Sequence, residues 1–173
     1  MDRSNIVLIG FMYAGKSTVG GLLARSAGKP FVDTDCVIEQ ETGATVSELF
    51  ERDGEPRFRE IERKVVARVT GGTGLVIALG GGAVLDPANV QDAKKNGIIY
   101  YLSVTPSTVA SRAALAGGRP LLDGKSTEEI AALLEQRREF YLSAAEVTVE
   151  ADSREASEIA REIERDFARR TRV

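Results

Sequence analysis

Short apolar runs alternate with longer amphipathic stretches along the chain, and no internal repeat or low-complexity tract interrupts them. The short runs predict buried β-strands at 6–9, 30–33, 75–79, 98–102 and 147–149. Between them, apolar residues at helical spacing predict helices over 16–27, 46–50, 55–70, 89–95, 107–115, 127–141 and 154–169. This alternation favours one α/β domain spanning 1–173, with a five-stranded parallel sheet and helices on both faces.

Polar or glycine-containing segments follow the first three predicted strands, at 10–17, 33–35 and 80–82. Ligands on an open parallel sheet bind outside the carboxyl ends of its strands. We therefore expect these segments to converge on one edge of the sheet and to form the functional site.

The segment after the first strand, GFMYAGKS at 10–17, matches the pattern G-x-x-x-x-G-K-[ST]. It follows a strand and opens a helix, which is the context that this motif requires. Its backbone N–H groups and the helix N-terminus favour a bound phosphate. Lys16 is predicted to bridge the β- and γ-phosphates of ATP, and Ser17 to bind Mg²⁺. The fold class is therefore predicted to be a P-loop NTPase-like three-layer sandwich.

Composition narrows the possible functions. The formal net charge of −3 argues against a general nucleic-acid binder, and no apolar run is long enough for a membrane span. The only cysteine, Cys36, excludes an intramolecular disulfide and, with no signal peptide evident, indicates a cytoplasmic protein. The chain has no histidine, so acid–base chemistry must fall to carboxylates, lysine or tyrosine.

The remaining candidate segments each allow a functional and a structural interpretation. Asp33 and Asp35 could serve a metal and an attacking hydroxyl, or form a solvated turn that caps a helix. Arg59 and Glu62 lie three apart on a helix and could form a surface ion pair. The glycines at 80–82 could admit a ligand to the backbone or form a flexible turn, and the loop holding 117–120 could be a lid or a connector.

Taken together, these residues resemble the shikimate kinase family, and the resemblance runs from Asn5 to the last helix. The family's motifs occur in order at 10–17, 33–35, 53–55 followed by Phe58-Arg59, 79–84, 119–122, and Arg137 four residues before Tyr141. The P-loop is shared with many kinases, whereas the combination is far more specific. The resemblance implies a nucleoside-monophosphate-kinase-like fold and transfer of the ATP γ-phosphate to the 3-hydroxyl of shikimate, with Mg²⁺.

The resemblance also implies which residues form each part of the site. The implied catalytic residues are Lys16, Asp35 and Arg119. The implied ATP-binding residues are Tyr13, Ala14, Gly15, Lys16, Ser17, Thr18, Arg112, Arg119 and Arg154. The implied shikimate-binding residues are Asp35, Phe58, Arg59, Gly81, Gly82 and Arg137, and the implied metal-binding residues are Ser17 and Asp33. A substrate-binding region over 33–62, a lid over 113–126 and a monomeric protein complete the expectation.

Within that family pattern, Asp35 would orient or deprotonate the nucleophile, and Arg59 and Arg137 would bind the substrate carboxylate as planar, bidentate cations. Arg119 would close with the lid and stabilise the transferring phosphoryl group. Arg112 would stack on adenine, and Arg154 would lie in the adenine loop.

Two positions depart from the family pattern. Tyr13 stands where glycine is usual, so it is strained if the position needs a positive φ and projects from the loop otherwise. Either way, we expect an effect on nucleotide affinity or rate, and not loss of the fold. Arg138 and Glu139 follow Arg137 where a proline is common at the second position, so Arg138 competes for the carboxylate role. The spacing from Tyr141 favours Arg137.

Two alternatives stay open at this point. One is a kinase of a shikimate analogue or of another polyol acid such as gluconate, in which the arginines would keep their role. The other is a nucleotide-sensing module without catalysis, for which Tyr13 is the best support.

Overall fold

The computed structural model describes residues 3–116 and 125–171. A parallel sheet of five strands lies at its centre, in the order β2-β3-β1-β4-β5. The strands are β1 (Asn5–Ile9), β2 (Phe31–Asp33), β3 (Val76–Ala78), β4 (Gly97–Ser103) and β5 (Val147–Glu150). Every residue of β1 is buried, as expected for the middle strand of a sheet covered on both faces. The predicted α/β fold with five parallel strands is confirmed.

Within the described residues the helices are α1 (Lys16–Ala27), α2 (Thr34–Thr42), α3 (Val46–Thr70), α4 (Pro87–Asn96), α5 (Pro106–Ala116), α6 (Thr127–Ala144) and α7 (Ala156–Thr171). A short 3₁₀ turn covers Ala83–Leu85. Helix α1 packs against α7, α3 packs against α2 and α4, and α5 packs against α6. None of these described helices is long and apolar enough to cross a membrane.

The acceptor side of the protein differs from the sequence expectation at two elements. The segment after Asp33 is a helix, α2, and not a turn; Asp33 caps it by accepting hydrogen bonds from the backbone of Asp35 and Cys36. The two helices predicted over 46–50 and 55–70 run together as α3, with a non-helical break at Gly54 (φ 78°, ψ 165°) two residues before Pro56. The break lies between the two predicted helices, because Gly54 adopts a φ that other residues disfavour.

A small second core holds α2 against α3. It is formed by Ile38, Leu49, Phe58 and Val65, all at most 2 % exposed. The break in α3 lets residues from both of its segments, Leu49 and Phe58, point into this one cluster. The cluster thereby fixes the position of the helices that carry Asp35 and Arg59 at the carboxyl edge of the sheet.

Candidate active site

The phosphate loop, residues 10–17, joins β1 to α1 and curls around the side chain of Lys16. The Lys16 ammonium donates to the carbonyls of Gly10 at 2.8 Å and Phe11 at 3.1 Å. Phe11 and Ala14 are buried and anchor the loop to the main core. The positive charge of Lys16 is thus held at the N-terminus of α1, where an anion is favoured.

Tyr13 adopts a left-handed backbone conformation, with φ 61°. The position therefore does require a positive φ, and tyrosine is strained there at a cost of about 1 kcal/mol or more. Its ring is partly buried against the core. Its carbonyl accepts a hydrogen bond of 2.7 Å from the Arg112 guanidinium, which ties the loop to α5.

A cavity of about 460 Å³ opens over the phosphate loop and is called the nucleotide cavity below. It brings together the predicted ATP-binding residues that the structure describes, namely Tyr13, Ala14, Gly15, Lys16, Ser17, Thr18, Arg112 and Arg154. Arg154 follows β5 and is held by the Glu150 carbonyl and the Glu162 carboxylate. The predicted catalytic Arg119, and most of the predicted lid over 113–126, lie outside the described residues.

Ser17 and Asp33 meet beside this cavity. The Ser17 hydroxyl donates to Asp33 Oδ2 at 2.6 Å, while Asp33 Oδ1 accepts from the Asp35 backbone N–H at 3.0 Å. Asp33 therefore caps α2 and contacts the P-loop serine, which confirms the capping interpretation and leaves the metal-binding role a prediction. A hydroxyl and a carboxylate are oxygen ligands of the kind that Mg²⁺ prefers.

Across the described parts of the chain, no group of three or more Asp, Glu, His or Cys residues could hold a metal without other ligands. Protein sites usually bind Mg²⁺ through one or two side chains together with substrate phosphates and water. The pair formed by Ser17 and Asp33 has the chemistry for that arrangement.

A second cavity of about 40 Å³, the acceptor pocket, adjoins the first. The two cavities share Met12, Asp35 and Gly81. The acceptor pocket is lined by all of the predicted shikimate-binding residues, Asp35, Phe58, Arg59, Gly81, Gly82 and Arg137, together with Met12, Val46, Phe50 and Glu62. Asp35 thus lies on the boundary between a phosphate-binding cavity and a pocket that holds two arginines.

The pair of Arg59 and Glu62 is not a surface salt bridge. The Glu62 side chain is 2 % exposed and accepts a hydrogen bond of 2.6 Å from Arg59, which Glu55 contacts from the other side at 3.0 Å. Burial raises the pKa of Glu62; the charge of Arg59 opposes this rise and the charge of Asp35 adds to it. Sequence reasoning missed Glu62 as a residue of the pocket, because its spacing from Arg59 also suits an exposed pair.

The glycine turn, Gly80-Gly81-Gly82, allows charged side chains to approach the backbone closely. A Cβ atom at Gly80 would lie 2.6 Å from Asp35 Oδ1 and 2.9 Å from Glu62 Oε1. At Gly82 it would lie 2.3 Å from an Arg59 guanidinium nitrogen. All three distances are inside van der Waals contact, so a side chain at Gly80 or Gly82 would displace the ends of the Asp35, Glu62 or Arg59 side chains.

Helix α6 directs Arg137, and not Arg138, at the acceptor pocket. Arg137 is 9 % exposed and its guanidinium lies 5.7 Å from the centroid of the Phe11 ring. Arg138 lies on the outer face of the helix, where its guanidinium is 3.7 Å from the Glu135 carboxylate. One turn after Arg137, the buried Tyr141 hydroxyl donates to the Gly81 carbonyl at 2.6 Å.

The fold and the two adjoining cavities define a P-loop kinase that acts on a small molecule. The family model for shikimate kinase matches residues 12–168. The chain belongs to the shikimate kinase family.

Individual relatives agree with this assignment. The chain is 49% identical to the shikimate kinase of Moorella thermoacetica, covering 92% of this chain and 91% of the relative. It is 43% identical to that of Symbiobacterium thermophilum, covering 92% and 93%. Among solved structures, shikimate kinase from Acinetobacter baumannii in complex with shikimate superimposes with a TM-score of 0.91 at 36% identity, covering 96% of this chain and 94% of that one.

Proposed function

We propose that this shikimate kinase transfers the γ-phosphate of ATP to the 3-hydroxyl of shikimate in a Mg²⁺-dependent reaction, giving shikimate 3-phosphate and ADP in aromatic amino-acid biosynthesis. One observation carries the direction of transfer. Asp35 lines both the nucleotide cavity and the acceptor pocket. A carboxylate on that boundary would lie between the terminal phosphate of ATP and the acceptor hydroxyl if both substrates occupy these cavities.

On the nucleotide side, the phosphate loop binds the β- and γ-phosphates through backbone N–H groups and Lys16. Arg112 and Arg154 border the same cavity and bind the remainder of the nucleotide. Ser17, and Asp33 through water, would hold Mg²⁺, and the ion would supply charge neutralisation at the phosphates. Phosphoryl transfer depends mainly on such positioning and charge stabilisation, to which Arg119 of the lid is proposed to add.

On the acceptor side, Arg59 and Arg137 bind the shikimate carboxylate by charge-assisted hydrogen bonds. Glu62 and Glu55 hold the Arg59 side chain from two sides. Asp35 accepts a hydrogen bond from the attacking hydroxyl and orients or deprotonates it. Phe58 and the backbone of Gly81 and Gly82 enclose the ring.

The proposal includes a monomeric, cytoplasmic protein. Described residues of one chain line both cavities. Cys36 is exposed beside the acceptor-side aspartates, where a reducing compartment keeps it a thiol. Light scattering at micromolar concentration should give the mass of one chain; a stable dimer would contradict this part.

The test of the proposed reaction is a coupled ADP-release assay with Mg²⁺ and a panel of shikimate, an amino- or deoxy-analogue of shikimate, and gluconate. We expect shikimate to give the highest kcat/KM. Turnover of gluconate alone would overturn the proposal in favour of another polyol-acid kinase. Binding of both ATP and shikimate without phosphoryl transfer would identify a nucleotide-sensing module.

A further inference from the structure

Among the described residues of α6, only Tyr141 forms a side-chain hydrogen bond with the glycine turn. The other described side-chain bond to this turn comes from Thr34 of α2. Tyr141 is fully buried, and its hydroxyl donates to the Gly81 carbonyl at 2.6 Å. Its ring stacks on Tyr101, with 4.9 Å between centroids and 14° between ring planes. The stacked ring fixes the direction of the hydroxyl, so the bond to Gly81 is held by the core and not by the surface.

This bond controls a peptide group in the acceptor pocket. A peptide unit is planar, so holding the Gly81 carbonyl also fixes the N–H of Gly82 on the opposite side of the same plane. Gly81 and Gly82 both line the pocket, and Gly82 lies against the Arg59 guanidinium. Three successive glycines have wide backbone freedom, so an external tether is needed to hold one orientation.

The same tyrosine bears on the second arginine of the pocket. Arg137 precedes Tyr141 by four residues on α6, which places both side chains on one face of the helix. Burial raises the pKa of Tyr141, while the charge of Arg137 and a hydrogen bond to it oppose the rise. The hydroxyl therefore stays protonated at neutral pH and remains a donor to Gly81.

We propose that Tyr141 is a positioning residue for the acceptor: it joins the helix that carries Arg137 to the glycine turn, and so sets the spacing between the carboxylate-binding and ring-binding groups. This inference rests on the proposed function, since the acceptor is taken to be shikimate. Tyr141 itself is behind the turn and does not line either cavity.

The test is Tyr141→Phe, which keeps the stacked ring and removes the hydroxyl. We expect the KM for shikimate to rise about tenfold, the scale of one lost buried hydrogen bond. The KM for ATP and kcat should stay within about twofold, because the described hydrogen bond of the Tyr141 hydroxyl goes to the Gly81 carbonyl and not to the phosphate loop. Wild type and variant are both assayed well below their unfolding transitions, because the apparent KM rises as the folded fraction falls.

Tyr100→Phe is the matched control. Tyr100, the residue before Tyr101 in β4, is a second buried tyrosine, and its hydroxyl donates a hydrogen bond of 3.1 Å to the Asp166 carboxylate of α7. Its loss should lower thermal stability by a comparable amount and leave both KM values unchanged. An equal rise in the KM for shikimate in the two variants would reduce Tyr141 to a structural residue and overturn the inference.

A rescue variant tests the tether itself. A Cβ atom at Gly81 would meet its nearest neighbour, the Met12 backbone nitrogen, at 3.5 Å, which is ordinary contact, and Gly81 is not among the residues with positive φ. Alanine there restricts the turn without strain. Adding Gly81→Ala to Tyr141→Phe should lower the KM for shikimate about threefold; no recovery would contradict a role through the Gly81 peptide.

The outcomes separate this inference from the proposed function. A wild-type protein that phosphorylates shikimate, with Tyr141→Phe kinetically identical to it, overturns the inference alone. A wild-type protein that neither binds nor phosphorylates shikimate overturns the proposed function, and the inference falls with it.

Discussion

The phosphate loop and the acceptor pocket are built in opposite ways. The phosphate loop is one continuous segment, 10–17, and it turns its own backbone and one lysine around the place for a phosphate. The acceptor pocket draws its polar groups from α2, α3, the glycine turn and α6, which are far apart in sequence. Under the proposed function, the phosphate loop would bind an anion that every ATP presents, and the acceptor pocket would recognise one particular acid.

This contrast explains which of the two regions tolerates a change of side chain. Backbone N–H groups survive a change of side chain, so the loop accommodates Tyr13 even with a φ of 61°. In the acceptor pocket the charged groups are side chains, and Glu62 holds Arg59 in place. We expect changes in the loop to alter rate and changes in the pocket to alter recognition of the acceptor.

The largest expected effect belongs to Lys16→Ala, which removes the one lysine charge held within the phosphate loop. We expect kcat to fall by about 10³-fold or more, because charge stabilisation of the transferring group is lost. Affinity for shikimate, measured by calorimetry, should change less than about threefold. Lys29→Ala, in a lysine that lies over the Phe167 ring, is the control and should retain activity. A parallel loss of shikimate binding would break the separation of the two regions.

Asp35→Asn probes the boundary between the regions and should rank second. Removing the carboxylate that accepts a hydrogen bond from the hydroxyl should lower kcat by about 10²-fold while ATP binding is kept. Fluorescent-nucleotide titration and steady-state kinetics measure the two quantities. Asp92→Asn makes the same chemical change in α4, where Asp92 pairs with Arg63 and Lys95. Near-normal turnover of Asp35→Asn would show that the carboxylate is neither base nor positioning group.

Arg137→Met and Arg138→Met sharpen the description of the acceptor pocket. Loss of a charge-assisted contact should raise the KM for shikimate by about 30-fold in Arg137→Met. Arg138→Met should stay within about twofold, because Arg138 is 59% exposed and faces Glu135. The KM for ATP should change little in either variant. The reverse ranking would assign the carboxylate to Arg138.

A smaller effect tests the strain in the phosphate loop. Tyr13→Gly and Tyr13→Ala both remove the ring, so they differ only in their tolerance of a positive φ. We expect the glycine variant to be more stable by about 1 kcal/mol, the reverse of the usual order of the two residues. Urea unfolding of the two proteins measures this difference. If alanine is equal or better, the loop relaxes and Tyr13 is not strained.

The smallest effect concerns Glu62 and pH. Because burial raises its pKa, the folded protein binds this proton more tightly than the unfolded chain does. Its contribution to the free energy of unfolding is therefore lost as pH rises from the ordinary value of 4.5 through the raised value. Glu62→Gln lacks this dependence on pH. The free energy of unfolding of wild type minus that of the variant, measured in urea, should therefore decrease as pH rises across that window. Parallel pH profiles would mean that Glu62 titrates as an exposed glutamate.

The sequence predicted the local part of the site better than the distributed part. The phosphate loop is contiguous, so motif and context suffice to place it. Helix α2 was not predicted, because Val37 and Ile38 are its only aliphatic residues and give too short an apolar pattern. The burial of Glu62 and the bond from Tyr141 to Gly81 depend on packing between distant segments, which no spacing in the sequence encodes.

The crowding at the glycine turn has a consequence for substitutions that leave the protein folded but displace its acceptor groups. Every replacement of Gly80 or Gly82 introduces a Cβ atom, and the atoms that it meets are the ends of the Asp35, Glu62 and Arg59 side chains. Such ends swing aside at low cost, so the chain still folds while its acceptor groups are misplaced. Alanine at either position is therefore expected to give a folded protein in which the acceptor groups are displaced.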